Sequence, residues 1–238
     1  MSKLACFTAD VEQDCPPYLE TTRGMSEGMP RLLDLLGELG VHGTFFTTGE
    51  MARQFPAIMR RVVDEGHELA CHGDLHLDFT TLTRDETVRE LSASTATLRA
   101  IAPVVSFRAP YLRYPAAHLP LLVEHGLRID SSVALYKSGS NHRLGISVPG
   151  LTRVPASATS SVLRLPALVR APWLRALKSP VMLFVHPWEA VDFTRSNLRL
   201  DCRFRTGPRG VAAWREVILQ VRGDGAEFRR LDEIAREL

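Results

Sequence analysis

The sequence lacks any long apolar run, and this excludes a helix long enough to cross a membrane. Its longest uninterrupted apolar run is Val181–Val185, whereas a membrane-spanning helix needs roughly 20 apolar residues. A secretory signal is also missing, because the N-terminal segment reaches Asp10 before an apolar stretch of sufficient length has formed. The chain is therefore expected to be either cytoplasmic or already processed, and a cytoplasmic protein without a transmembrane segment is the favoured prediction.

An excess of charge of one sign is lacking too, and so are closely spaced cysteines. The sequence has 29 Lys and Arg residues against 27 Asp and Glu residues, for a formal net charge of +2. This balance argues against nucleic acid as the main partner. The four cysteines show no Cys-x-x-Cys spacing, so we expect reduced thiols that bind no metal rather than a disulfide framework or a cysteine zinc site.

A regular alternation of strand and helix patterns fills most of the 238 residues. Residues 4–8 form a short apolar strand pattern, and leucines spaced along one helix face follow until Gly40. A strand at 43–47 then precedes a single predicted helix that places Met51 and Val62 on its inner face. Further strands are predicted at 68–71, 104–107, 127–133, 152–155, 181–185 and 228–231.

These repeated βα units predict an α/β fold in which helices cover a parallel sheet. About seven or eight strands favour a closed barrel over an open, doubly wound sheet. Dinucleotide binding is disfavoured because acidic residues, not Gly-x-Gly-x-x-Gly, follow the first strand. The irregular region 137–180 and the loop around 16–18 are expected to form the wall of a pocket.

Polar residues stand at or just past the ends of five predicted strands. In a βα barrel these strand ends share one rim, where side chains from different strands converge on rigid supports and form active sites. We therefore expect an active site at the rim formed by Asp10, His72, Arg108, Asp130 and His186.

A histidine pair near several carboxylates indicates a metal site. His72 and His76 are four residues apart, so on a helical turn both imidazoles would lie on one side and reach one ion. Asp10, Glu12 and Asp14 supply carboxylates. One of them would complete a site of two histidines and one carboxylate with open positions for water, and another would take the proton from that water.

Six segments in a fixed order resemble the motifs of the polysaccharide deacetylase family, also called the NodB homology or carbohydrate esterase 4 family. Their details are most similar to the branch with peptidoglycan-deacetylase-like and allantoinase-like members. The segments are Thr8-Ala-Asp-Val-Glu-Gln-Asp14, Gly43-Thr-Phe-Phe46, Gly66-His-Glu-Leu-Ala-Cys-His-Gly-Asp-Leu-His76, Arg108-Ala-Pro-Tyr111, Ile129-Asp-Ser-Ser132 and Leu183-Phe-Val-His-Pro-Trp188.

The resemblance implies a fold, a reaction and a cofactor. The fold would be a distorted (β/α) barrel of about seven strands, forming one domain over residues 1–238. The reaction would be hydrolysis of an N-acetyl group on an amino sugar, in a polysaccharide or a lipid- or nucleotide-linked precursor, by a metal-activated water. One divalent ion, expected to be Zn²⁺, would be the cofactor.

The resemblance also implies a role for each matching residue. Asp10 matches the family's catalytic base, and Arg108 matches the arginine that orients this base. The histidine pair at 72 and 76 matches the two metal-binding histidines. The backbone N–H of Tyr111 would donate to the oxyanion, and His186 matches the general acid.

The chain departs from the common family pattern at two places. Val11 stands where a second aspartate is usual, so the metal carboxylate must be Glu12 or Asp14, and the sequence leaves both open. Pro187 stands where an aspartate is commoner after the general acid. We take Asp130 as the candidate carboxylate that holds and tunes this acid.

Two other functions compete with sugar deacetylation. One is an amidohydrolase acting on a small non-sugar amide, as in allantoinase-like relatives, although such an enzyme need not keep the complete metal set. The other is a barrel that only binds carbohydrate and has lost catalysis. The presence of both Asp10 and His186 argues against that loss. The sequence gives no prediction of oligomeric state.

Overall fold

The computed structural model describes residues 3–137 and 144–238, in which nine strands form one parallel sheet. The order across the sheet is β6-β5-β4-β3-β2-β1-β8-β7, and β9 pairs with β1. The strands are β1 (Lys3–Val11), β2 (Thr44–Thr47), β3 (Glu68–Cys71), β4 (Ser106–Phe107), β5 (Ile129–Asp130), β6 (Thr152–Arg153), β7 (Ala158–Thr159), β8 (Val181–Val185) and β9 (Ala226–Phe228).

One stretch of chain, 152–159, closes this sheet into a distorted barrel. Its first part, β6, pairs with β5, and its last part, β7, pairs with β8. Between them the amide of Val154 donates a hydrogen bond to the carbonyl oxygen of Asp130. The ring therefore consists of β1 to β5, the 152–159 stretch and β8, which confirms the predicted distorted (β/α) barrel of about seven strands.

Helices follow most strands and cover the outside of the barrel. Gly40 ends α1 in a left-handed conformation, with φ of 59°, that a residue without a Cβ adopts readily. At α4, Thr83 and Glu86 form the capping box expected from their spacing. The α-helices of the described residues are α1 (Met29–Leu39), α2 (Gly49–Gln54), α3 (Pro56–Asp64), α4 (Arg84–Arg99), α5 (Leu119–Glu124), α6 (Ser160–Leu163), α7 (Ala167–Ala176), α8 (Leu200–Arg203), α9 (Pro208–Gly223) and α10 (Leu231–Ile234).

Two of the differences from the sequence prediction have a local cause in the chain. The single helix expected from Met51 to Val62 is two helices, because Pro56 begins α3 and Phe55 before it leaves the helical conformation. The closing strand expected at 228–231 ends at Phe228, since residue 231 already begins α10. Neither difference changes the order of the barrel strands.

Alternation along the strands separates the two faces of the barrel wall. On β1, Phe7 packs outward against the helices, beside Trp214 of α9. Its neighbour Cys6 belongs to a different cluster that includes Phe46 and Met182 from the adjoining strands. Because successive side chains point to opposite faces, Asp10 shares the face of Cys6. No helix in the described ranges is long and apolar enough to span a bilayer.

Candidate active site

The carboxyl ends of four strands bring ionisable side chains around one cavity. Asp10 lies near the end of β1 and Glu12 just beyond it, while His72 follows β3 and His186 follows β8. All four line a cavity of about 490 Å³. Arg108 follows β4 and is fully buried. The structure therefore gathers these predicted residues at one rim of the barrel.

Glu12, His72 and His76 form a cluster of three potential metal ligands. One ligand atom from each residue lies within 4.8 Å of the others. Glu12 Oε2 is 2.6 Å from His76 Nε2 and 3.4 Å from His72 Nε2. Burial raises the pKa of Glu12, but the neighbouring His76 and His186 hold it well below its usual range. The cluster thus contains an ionised carboxylate beside two imidazoles.

The hydrogen bonding of this cluster fits a divalent cation. His72 Nδ1 lies 2.7 Å from the carbonyl oxygen of Arg108 and must donate to it, so a neutral ring carries a lone pair on Nε2. The Nε2 atoms of His72 and His76 are buried, and apart from the nearby Glu12 carboxylate they have no polar partner among the described residues. Two nitrogen atoms and a carboxylate that face one another are the donor set that Zn²⁺ and similar ions bind.

Arg108 holds Asp10 beside this cluster. Its Nη1 donates to Asp10 Oδ1 at 2.6 Å and lies 2.8 Å from Thr8 Oγ1. The guanidinium also lies over the ring of Phe46, 4.1 Å from its centroid. Since packing and hydrogen bonds fix Arg108, the carboxylate of Asp10 has a fixed orientation toward the cavity.

His186, which lies near Glu12 in the same cavity, is paired with Glu189. Glu189 Oε1 lies 3.3 Å from His186 Nδ1, which leaves Nε2 directed to Glu12 Oε1 at 3.8 Å. Burial lowers the pKa of His186, but the carboxylates of Glu12 and Glu189 outweigh it and raise this pKa to about 9. His186 is therefore held in its protonated form near neutral pH.

Glu189 is a functional residue that the sequence reasoning missed. It is 2% exposed, and it accepts hydrogen bonds from Ser160 Oγ and from Arg164 Nη2 at 3.3 Å. The available signal was its position three residues after His186, since this spacing lets its side chain also reach the backbone N–H of His186.

Asp130 pairs with Arg153 and not with His186, so the prediction that it holds the candidate general acid is wrong. Its carboxylate accepts a hydrogen bond from Arg153 Nε at 2.9 Å and another from the backbone N–H of Ser132 at 2.9 Å. These bonds fix the segment after β5. The carboxylate beside His186 is that of Glu189.

Asp14 likewise lies outside the ligand cluster, which leaves Glu12 as its carboxylate. Asp14 accepts hydrogen bonds from Thr21 Oγ1 and from the backbone N–H groups of Arg23 and Gly24, at 2.6 to 2.8 Å. It therefore caps the start of the short helical segment at Gly24–Gly28. Its oxygens accept hydrogen bonds from this segment and do not contact the histidines.

The histidine pair lies on a loop and not on the expected helical turn. His76 has φ of 56°, and the loop is fixed by Glu90, which accepts hydrogen bonds from the backbone N–H groups of Asp74 and Leu75. Tyr111 faces the pair: its ring packs edge-on against His76 at 4.9 Å, and its φ is 59°. A left-handed backbone conformation at a non-glycine residue is typical of sites under functional constraint.

The cavity walls only partly match the expectation. Residues 16–18 line it as expected, whereas the irregular region contributes Lys137, Thr159 and Ser161; residues 138–143 of that region lie outside the described part. Trp188 is 4% exposed, stacks on His186 at 5.1 Å and lies 3.3 Å from Glu12 Oε1 through Nε1. A further wall, at 199–202, was not anticipated.

Comparisons with known proteins find similarity to polysaccharide and peptidoglycan deacetylases. The sequence model of the polysaccharide deacetylase family matches residues 14–129. A peptidoglycan-N-acetylmuramic acid deacetylase of Bacillus subtilis is 39% identical over 77 residues, which are 32% of this chain and 29% of that protein. A peptidoglycan-N-acetylglucosamine deacetylase of Bacillus cereus is 32% identical over 134 residues, 52% of this chain and 49% of that protein. The matched part thus spans less than half of each relative.

The fold comparison covers the ends of β1 and β8, which the family match omits. A solved Mycobacterium smegmatis structure assigned to the polysaccharide deacetylases superposes with a TM-score of 0.71 and 23% identity, over 100% of this chain and 91% of that one. The polysaccharide deacetylase model therefore matches just under half of this chain, and the solved structure shows that the barrel fold is shared over the whole of it.

Proposed function

We propose that this domain is a metal-dependent hydrolase that removes an N-acetyl group from an amino sugar. The observation that carries the proposal is the set of groups that meet at one cavity. The ligand cluster of Glu12, His72 and His76 shares this cavity with Asp10, which pairs with Arg108, and with His186, which pairs with Glu189. A base, a cation site and an acid at one cavity suit amide hydrolysis by water.

Glu12, His72 and His76 would hold one divalent ion, for which Zn²⁺ is the proposed identity. When bound, such an ion supplies Lewis acidity for a water molecule and for the acetyl carbonyl oxygen. Asp10 takes the proton of the attacking water. Arg108 orients that carboxylate, because its Nη1 donates a hydrogen bond to Asp10 Oδ1 at 2.6 Å.

Two further groups act on the acetyl carbon and the leaving nitrogen. The backbone N–H of Tyr111 donates to the oxyanion that develops from the acetyl carbonyl. His186 donates its proton to the departing nitrogen, because an unprotonated amide anion is a poor leaving group. Glu189 stabilises the charged imidazole before this transfer. The products are acetate and the free amine of the sugar.

The names of the relatives support a glycan substrate, since they act on peptidoglycan or chitooligosaccharides. The cavity is open and bordered by three half-exposed tyrosines, at positions 18, 111 and 136. Such rings offer apolar faces to sugar rings. We therefore propose an N-acetylated saccharide, in a polymer or in a lipid- or nucleotide-linked precursor, as the substrate.

The test measures acetate release from N-acetylated saccharides by the Zn²⁺-loaded protein and its variants. Asp10→Asn should lower kcat by at least ~100-fold while metal content stays unchanged. His72→Ala should lose both metal and activity. Asp64→Asn, an exposed change at the end of α3, serves as the matched control and should behave as wild type.

Other outcomes would contradict parts of this proposal. Substantial turnover by Asp10→Asn would mean that Asp10 is not the base. Hydrolysis of small non-sugar amides without any release from saccharides would identify an amidohydrolase. Saccharide binding by the metal-loaded protein without any hydrolysis would identify a carbohydrate-binding barrel.

A further inference from the structure

Two cysteines meet at the mouth of the active-site cavity, apart from the catalytic groups. Cys15 begins the turn that continues to Tyr18, and Cys202 lies in α8. Both are free cysteines and both line the cavity. They also belong to one small apolar cluster that includes Trp188. Distant parts of the sequence thus bring two thiols together beside the site.

The two cysteines pack in the same apolar cluster but are not equivalent. The neighbouring Cys202 thiol, together with burial, raises the pKa of Cys15, whereas the Cys15 thiol lowers the pKa of Cys202. The Cys15 residue is 2% exposed, whereas Cys202 is partly exposed. Because the thiolate is the nucleophile, Cys202 is placed to react first with a reagent from solvent. Cys15 is placed to react second.

The other two cysteines have no such arrangement. Cys6 and Cys71 are fully buried, and their sulfur atoms contact Thr44 Oγ1 and Ser94 Oγ, respectively. Burial raises the pKa of Cys6 to about 12 and that of Cys71 to about 11. They are therefore internal controls that should stay unreactive in the folded protein.

We propose that Cys15 and Cys202 form a reversible disulfide with a low-molecular-weight disulfide as the oxidant, and that this bond ties two walls of the active-site cavity together. The Cys202 thiolate attacks one sulfur of the oxidant and releases one thiolate. Cys15 then attacks the Cys202 sulfur of the mixed disulfide and releases the second. The protons of the two cysteines end on the two released thiols, so two cysteines are oxidised and one small disulfide is reduced.

The consequence for the cavity follows from what the two segments carry. The turn of Cys15 carries Tyr18, and the segment of Cys202 carries Arg199, whose Nη1 donates to the Tyr18 hydroxyl at 3.3 Å. This polar contact can open and close without breaking a covalent bond. The disulfide would fix it, so a bulky saccharide should bind less readily to the oxidised protein. This consequence rests on the proposed function.

The chemical test needs no activity. The full chain is reduced, freed of reductant, incubated folded with oxidised glutathione, and then denatured in an alkylating agent for peptide mapping. We expect a linked Cys15–Cys202 peptide, alkylated Cys6 and Cys71, and loss of the link after reduction. In Cys15→Ser, glutathione should remain on Cys202. In Cys202→Ser, the remaining cysteines should resist glutathione.

Several results would overturn the proposal. Stable glutathione on Cys202 of the wild-type protein would show that Cys15 cannot complete the exchange. Full alkylation of both cysteines after oxidant would show that they do not react. If the linked peptide forms but KM for an N-acetylated oligosaccharide is the same in oxidised and reduced protein, the bond does not restrain the cavity walls.

Discussion

At the residue scale, two acidic side chains that follow β1 have different contacts because the backbone turns between them. Glu12 and Asp14 are both buried. Glu12 is just beyond the end of β1 and contacts the histidines, while Asp14 lies in the turn before Cys15, whose φ is 48°. The turn directs Asp14 to backbone N–H groups. Sequence spacing alone could not distinguish them, because the direction of this turn depends on contacts with Thr21 and Gly24.

The partner of the general acid gives a prediction at this scale. Glu189→Gln removes the charge beside His186 and should lower kcat roughly tenfold to hundredfold, with little change in KM or metal content. Asp130→Asn is the matched control, because Asp130 pairs with Arg153 instead. It should keep kcat. Steady-state kinetics and thermal unfolding of both variants measure the effect. A kcat loss confined to Asp130→Asn would mean that Asp130, and not Glu189, supports His186.

At the element scale, the strands were predictable where apolar runs were uninterrupted. β1, β2, β3 and β8 carry such runs and place Asp10, His72 and His186 correctly. β6 lies within the strand predicted at 152–155, but β7 was not predicted, because its two residues are too few for a period-2 pattern and its pairing depends on the neighbouring strand. The wall at 199–202 was missed for the same reason, since α8 is a single turn.

The cap of α4 gives the prediction at the element scale. Thr83 Oγ1 accepts from the backbone N–H of Glu86, and the Glu86 carboxylate accepts from the backbone N–H of Thr83. Thr83→Ala removes the hydroxyl that accepts from the backbone N–H of Glu86 and that donates to the Glu86 carboxylate. It should lower the free energy of unfolding by about 1 kcal/mol. Urea unfolding measures the change. Thr83→Ser keeps the hydroxyl and should cost much less; equal losses would mean that the cap is not the cause.

At the scale of the whole molecule, the two ends of the barrel have different tasks. The carboxyl ends of the strands hold the proposed catalytic groups. At the opposite end, buried Glu68 begins β3 and accepts hydrogen bonds from Thr44 Oγ1, Ser106 Oγ and the backbone N–H of Asp232. It thereby attaches α10 to the barrel. Such a carboxylate contributes to stability and not to chemistry.

Glu68 makes stability depend on pH in a defined direction. Burial is the main cause that raises the pKa of Glu68 from 4.5 to about 7. Between these values the folded state binds more protons than the unfolded state, so the contribution of Glu68 to the free energy of unfolding falls as pH rises. Glu68→Gln removes this loss. The free energy of unfolding of the variant minus that of wild type should therefore rise by about 3 kcal/mol across this window.

Urea unfolding at several pH values measures this difference. His67 contributes with the opposite sign, because burial lowers its pKa from 6.5 to about 4 and its contribution to stability is lost as pH falls through that window. It is present in both proteins and cancels from the difference. A difference that does not change with pH would show that Glu68 is not protonated in the folded protein.

The proposed metal site consists of Glu12, His72 and His76 and excludes Asp14. Elemental analysis of the purified protein, after incubation with Zn²⁺ and removal of excess ion, tests this site. We expect about one ion per chain in wild type, a similar content in Asp14→Asn, and loss of the ion in both Glu12→Gln and His76→Ala, with folding checked by circular dichroism. Wild-type protein without bound ion, or an ion retained by Glu12→Gln and lost only by folded Asp14→Asn, would contradict it.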